Sequence, residues 1–257
     1  MSGNLNSLAN ILWALAPGTG AALQRDDIAL VAHRGAHDLV GVTENTLPAF
    51  QRCLDAGVWG VELDVRLTAD NEPVIHHDDH CGRLFGERDT VIKDVSFAVL
   101  RDRVPEIPHL LEVASQFGGK LHLMLEVKES WRQRPTIVDA VCKCLEKFEP
   151  GADFHLLALV PDYLEGFRRV VPPSAYIDVA QTNTNRILKQ TLALGHGALA
   201  GSFALIGERQ LQKLRHAGCR VGTGMVENRR ILQREVHRGI DWIFTDRIIS
   251  LQQSVRC

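Results

Sequence analysis

Nowhere in this chain does an apolar run approach the roughly 18 residues of a membrane-spanning helix, so stable membrane insertion is not expected. A basic n-region is missing too. The opening residues instead place Leu5, Leu8, Ile11, Leu12 and Leu15 at helical spacing. That pattern predicts an amphipathic helix packed on the body of the protein, not a secretory signal, and so a cytoplasmic location. Strong charge is also absent. A formal net charge of -2 over 257 residues exerts no general pull on nucleic acid or anionic lipid, so no nucleic-acid partner is expected and any phosphate binding must be local. The six cysteines (Cys53, Cys81, Cys142, Cys144, Cys219, Cys257) contain no C-x-x-C pair. This excludes the usual thiolate zinc spacing and favours reduced, structural thiols over a disulfide framework. No His-x-His pair is present to support a zinc amidohydrolase site. With no repeat, low-complexity tract or linker, the chain reads as an N-terminal helical extension (1–27) followed by one domain (28–257). Nothing in the pattern fixes an oligomeric state.

What is present is alternation. At 45% hydrophobic the chain can bury one large core. Short apolar runs recur at Ile28–Ala32, Gly60–Val65, Leu121–Val127, His155–Val160, Ala175–Val179, Ala198–Gly201, Arg220–Met225 and Trp242–Phe244. Helical patterns lie between them. Those over Leu47–Ala56, Glu208–Ala217 and Arg229–Arg238 each stop at a glycine (Gly57, Gly218, Gly239) that supplies a left-handed cap. Pro135–Phe148, Asp162–Val170 and Asn185–Ala193 fill most of the other gaps. Eight strands with intervening helices at this length predict an α/β fold, a (β/α)8 TIM barrel. One segment breaks the rule. Only about Leu67–Glu72 separates E-L-D-V from P-V-I-H-H, too short for a parallel crossover of a dozen or more residues. An extra antiparallel hairpin strand after the second barrel strand follows, with Ala69–Glu72 as its turn.

Chemistry concentrates between Val31 and Asp78. Glu62 and Asp64 stand two apart on one strand, so both point to the same side. Their apolar neighbours Val61, Leu63 and Val65 belong under the outer helices, which sends the carboxylates into the lumen. Two carboxylates confined together repel unless a cation joins them, so metal ligation is expected over an outward, hydrated pair. Glu126 and Lys128 in L-M-L-E-V-K share one face in the same way. They read either as a third oxygen ligand with a phosphate-binding cation or as a salt bridge inside the barrel. His33 ends the first strand beside Arg34, whose planar guanidinium suits a phosphodiester. His77, not His76, is expected to face the site. Glu44 and Asn45 precede a helix carrying Pro48 in its first turn. Asn45 or Thr46 acts either as a cap, or Glu44 and Asn45 orient His33, Arg34 or a substrate hydroxyl. Asp246 closes the last strand and reads as a structural cap.

Taken in order, H-R-G, E-N-T, G-x-x-x-V-E-L-D-V, P-V-I-x-H-D, L-x-L-E-V-K and T-D-R, from His33 to Arg247, resemble the glycerophosphodiester phosphodiesterases, barrels of the phosphatidylinositol-phospholipase-C-like type. The resemblance implies that 28–257 is such a barrel. By position it implies His33 and His77 as an acid–base pair and Glu62, Asp64 and Glu126 as ligands of one divalent cation, Mg2+ or Ca2+. Arg34 and Lys128 become phosphate contacts. The implied substrate is a small-molecule glycerophosphodiester, cleaved to sn-glycerol 3-phosphate and an alcohol. Departures fall late in the chain. T-G-M-V-E-N (Thr223–Asn228) lacks the family's tryptophan, Ala158-Leu159 replaces a serine-phenylalanine pair, and Ile248 replaces a proline. These touch the head-group pocket and keep two alternatives open: a lysophospholipase-D-like activity on the same barrel, or a barrel that binds a phosphorylated ligand without cleaving it.

Overall fold

A computed structural model describes Asn10, residues 28–38 and residues 40–256. The N-terminal helix expected over 1–27 lies, Asn10 apart, outside the described residues. Eight parallel strands close on themselves: β1 (Leu30–His33), β2 (Gly60–Leu67), β6 (His122–Val127), β7 (Phe154–Ala158), β8 (Tyr176–Ala180), β9 (Ala198–Ser202), β10 (Arg220–Gly224) and β11 (Trp242–Thr245). β1 pairs with both β11 and β2, which leaves no barrel edge. β2 outruns β1, and its last residues pair antiparallel with β3 (Pro73–Ile75). That is the short return expected from the Leu67–Glu72 spacing. Asn71 takes the left-handed φ of 66° in its turn.

Strand alternation sorts the core into layers. Val61, Leu63, Leu123, Leu125, Leu156 and Leu199 face the helices in one apolar cluster. Val31, Met124, Leu157, Ile177, Trp242 and Phe244 fill the lumen in another. A third cluster (Val74, Cys81, Ile92, Leu100, Val104, Ile107) sits under the segment inserted after β3. That insertion holds the hairpin β4 (His80–Cys81) and β5 (Glu87–Val91), with the one-turn helix Gly82–Phe85 between them. It was not foreseen, and neither were the helices Phe97–Arg103, Leu110–Phe117 and Ile248–Arg256. The helix expected over Asp162–Val170 is a single turn, Asp162–Glu165. At Gly166 the backbone presses on Trp131 so closely that a Cβ would lie 2.5 Å from the indole.

The N-terminal end of the lumen is closed by polar rings. Arg220 Nη2 donates to His155 Nε2 at 2.7 Å, and its guanidinium lies 4.5 Å over Trp242. His155 and His122 join Nδ1 to Nε2 at 2.6 Å, and His122 Nδ1 donates to the Ala152 carbonyl at 3.0 Å. Arginine only donates and a carbonyl only accepts, so the chain of bonds runs one way and needs both imidazoles neutral. Burial is the main cause that pushes His122 down to about 4 and His155 to about 3, from 6.5. Both values lie below that of the unfolded chain, which therefore binds these protons more tightly. Stability present above pH 6.5 should be lost as pH falls from 6.5 toward 4. A melting temperature that drops through that window, with a shallower drop in His155→Gln, is the expected result. Equal pH dependence in the two proteins would remove this role from the histidine pair.

Candidate active site

Parallel register assembles the site at the opposite, C-terminal end of the strands, where barrels of this type carry their chemistry. His33 is level with Glu62, and Asp64 with Glu126. Side chains from three neighbouring strands thus converge without any loop having to carry them. Oxygens of Glu62, Asp64 and Glu126 all lie within 4.8 Å of one another, and Glu62 and Asp64 are buried. Lys128 Nζ stands 2.8 Å from Asp64 Oδ1 and 2.5 Å from Glu126 Oε1. The Glu62 Oε1 atom is buried without a hydrogen-bond partner among the described residues. Burial, then the charge of Asp64, pushes Glu62 well above the ordinary carboxylate range. Burial opposes ionisation of Asp64 too, but Lys128 and Arg34 outweigh it and hold that carboxyl low.

The chain turns sharply after β1. Arg34 and Gly35 both take left-handed φ, 57° and 83°, and a Cβ on Gly35 would meet that of Ala49 at 2.8 Å. This turn aims the Arg34 N–H at Glu62 Oε2 (3.2 Å) and brings its guanidinium to Glu44 (2.7 Å) and Asp64 (3.3 Å). Asn45 does not cap the following helix. Its amide donates to Asp64 Oδ2 at 2.7 Å, which holds that carboxylate in place. Thr46 occupies the N-cap position but makes no capping bond; its hydroxyl turns back to the Thr43 carbonyl. Of the roles considered for Glu44 and Asn45, orientation is what the geometry contains: Glu44 on Arg34, Asn45 on Asp64.

Both histidines have a carboxylate on Nδ1. His33 Nδ1 lies 2.7 Å from Asp246 Oδ1, and His77 Nδ1 lies 2.7 Å from Asp78 Oδ1. A carboxylate only accepts, so the proton sits on Nδ1 in each ring and Nε2 is the nitrogen left for a ligand. Burial lowers His33, but the Asp246 bond and the Glu62 charge outweigh it and its pKa is raised. Burial prevails at His77, whose pKa is lowered. The His77 carbonyl is clamped by Arg66 through two bonds, at 2.9 and 2.7 Å. His76 points away, buried against Phe85 and bonded to the His80 carbonyl. Asp246 is therefore the partner of His33, not the structural cap expected for it. Asp78 stood in the P-V-I-H-H-D motif without a role; an acid beside a strand-end histidine was the signal that could have marked it.

These groups surround one cavity of about 270 Å3. His33, Arg34, Glu62, His77, Glu126 and Lys128 line one side, and Leu157, Leu159, Val179, Leu205, Met225 and Phe244 the other. Asn10 underpins the apolar wall by donating to the Met225 carbonyl and accepting from the Glu227 N–H. A wider hollow at the opposite end of the barrel, beside Trp59 and Asp241, has no comparable set of paired acids and bases among the described residues.

Residues 33–250 match the sequence model of the Glycerophosphoryl diester phosphodiesterase family. A glycerophosphodiester phosphodiesterase of Caldanaerobacter subterraneus is 25% identical over 232 residues, covering 84% of this chain and 93% of its own. Among solved structures, a putative glycerophosphodiester phosphodiesterase from Galdieria sulphuraria superposes with a TM-score of 0.78 at 17% identity, covering 92% of this chain and 100% of its own. A phosphodiesterase from Oleispira antarctica, in complex with the product sn-glycerol-3-phosphate, gives 0.74 at 23% identity, with coverages of 89% and 96%. With 218 of its residues, 33 to 250, inside that match, the chain belongs to the glycerophosphoryl diester phosphodiesterase family.

Proposed function

We propose that this chain hydrolyses glycerophosphodiesters to sn-glycerol 3-phosphate and an alcohol, with His33 and His77 as the acid–base pair. The supporting observation is that two carboxylate-held imidazoles, two cations and two of the three clustered carboxylates, Glu62 and Glu126, line one side of a single cavity, with Asp64 buried behind them. Arg34 and Lys128 hold non-bridging phosphate oxygens. One histidine takes the proton of the attacking hydroxyl as its oxygen bonds to phosphorus. The other protonates the alcohol oxygen as its bond to phosphorus breaks. The nucleophile is water, or the neighbouring glycerol hydroxyl by way of a cyclic phosphate that water opens; the same pair serves both routes.

The donor set fits a hard divalent cation: three carboxylates, no sulfur, and a buried Glu62 oxygen with no hydrogen-bond partner among the described residues. Glu62, Asp64 and Glu126 would hold it. When bound, Mg2+ or Ca2+ supplies positive charge against that developing on the phosphate oxygens. No helix among the described residues is long and apolar enough to cross a membrane. A cytoplasmic enzyme acting on a dissolved diester is the corresponding proposal.

A second reading has its own observation. Leu159 and Met225 stand on the apolar wall, where the sequence departs from the family pattern, and such a wall suits an acyl chain. Both readings are tested by one panel: glycerophosphocholine, glycerophosphoethanolamine, glycerophosphoglycerol and a lysophosphatidylcholine. Release of glycerol 3-phosphate from the first three is expected. Turnover of the lysolipid alone would put the lysophospholipase-D-like activity in its place. Binding without turnover of any diester would leave a ligand-binding barrel.

A further inference from the structure

We propose that Arg83 is a positioning residue that locks His77 to the phosphate-binding arm of the site. The inference rests on the phosphodiesterase reading for its kinetic consequence, but not for its geometry. Arg83 lies on the one-turn helix of the inserted hairpin, outside every motif that marks the site in the sequence. Its Nε donates to Asp78 Oδ2 at 2.6 Å. Its two terminal nitrogens reach the two oxygens of Glu44, Nη2 to Oε1 at 2.6 Å and Nη1 to Oε2 at 3.2 Å. Asp78 holds His77 through its other oxygen, and Glu44 Oε1 also accepts from Arg34. One unbroken line of bonds thus runs His77–Asp78–Arg83–Glu44–Arg34, ending 3.3 Å from Asp64.

The need for such a lock follows from the topology. Arg34, like the Glu62–Asp64 pair, is set at barrel strand ends by the closed sheet. His77 is not: it lies two residues beyond β3, a three-residue strand that pairs with the overhang of β2 on one side and meets the Pro108–His109 segment through a single bridge on the other. The Arg66 clamp fixes its carbonyl but leaves the ring free to turn. Ring orientation and tautomer are set through Asp78, and Asp78 is itself set by Arg83. Only a guanidinium has three coplanar donors able to grip two carboxylates at once. Without it, Glu44 would keep Arg34 and Asp78 would keep His77, but the two pairs would lose the guanidinium that joins them. The inserted segment has its own apolar cluster, which gives the arginine a firm base.

Arg83→Met should lower kcat on the order of 10- to 100-fold, the range for losing a group that orients a functional side chain, with a smaller change in KM. The arginine side chain is 44% exposed, and exposed ion pairs contribute little to stability, so the melting temperature should barely move. Arg83→Lys restores the charge but not the two-ended grip, so it should stay near the Met variant. In a double-mutant cycle, Arg83→Met with Asp78→Asn should be no slower than the worse single variant. A measurement independent of turnover completes the test. In 15N-histidine spectra His77 should be a single Nδ1–H tautomer in the wild type and a mixture in Arg83→Met. An unchanged tautomer, full rescue by lysine or an additive cycle would overturn the lock. A wild type that cleaves no diester would overturn the phosphodiesterase reading, while the tautomer measurement would still decide the coupling.

Discussion

His77→Ala and His33→Ala should each lose about two to four orders of magnitude in kcat, the usual contribution of a positioned acid or base, while remaining folded. Both side chains are partly open to solvent, 34% for His77 and 27% for His33, so truncation leaves no closed hole in a packed core. The carboxylates left behind are not stranded: Asp78 keeps Arg83, and Asp246 keeps His37 at 3.6 Å. Stability and turnover should therefore separate. The check is kcat on a glycerophosphodiester beside a thermal melt of each variant. Turnover near the wild-type rate in either one, with the fold intact, would remove that histidine from the chemistry. Loss of activity together with loss of the folded state would assign it a structural role.

Removing the divalent cation should abolish turnover, with Mg2+ or Ca2+ restoring it, and Glu62 provides a second reading of opposite sign. Lys128 and Arg34 pair with Asp64, and Lys128 also with Glu126. The Glu62 carboxyl has the Arg34 N–H on one oxygen and, among the described residues, no hydrogen-bond partner on the other. In metal-free protein, Glu62→Gln removes a buried carboxyl that competes with the Asp64 charge, so the melting temperature should rise. With metal at a hundredfold excess over its Kd, the wild type should gain about 2.7 kcal/mol by mass action, a shift of several degrees. The glutamine variant should gain far less and should be inactive. A salt-bridged, metal-free barrel would behave differently: activity indifferent to EDTA and no metal-induced shift in the wild type. That result would take the metal out of the proposal.

Period-two alternation was enough to place Glu62 with Asp64, and Glu126 with Lys128, on the lumen side, because the apolar residues between them need the helices. Connection length alone dictated the hairpin of β2 and β3, since the five residues between Leu67 and Pro73 cannot make a parallel crossover. It also carried His77 toward the mouth. The misreadings have a common cause. Asp246 read as a cap because its partner, His33, is 213 residues away; the two meet only when β11 pairs with β1 and closes the barrel. E-N-T has the composition of a helix cap, but the Asn45 amide donates instead to Asp64 on β2, the neighbour of β1. The helix expected through Val170 tightens after Glu165 into successive i→i+3 turns, Phe167 to Leu164, Arg168 to Glu165 and Val170 to Phe167, while Gly166 packs against Trp131 from a remote segment.

Local pattern accounts for the eight strands, the faces of their side chains, the extra hairpin, and the residue types gathered at the strand ends. These follow from short-range rules, periodicity, turn length and like-charge repulsion, which act within a few residues. Which carboxylate holds which histidine, the Arg83 bridge between Asp78 and Glu44, and the His122–His155–Arg220 chain across the barrel floor come from folding in three dimensions. Each of those pairings joins segments remote in the chain. Alternation states the direction of a side chain, but closure and register of the sheet choose what it meets.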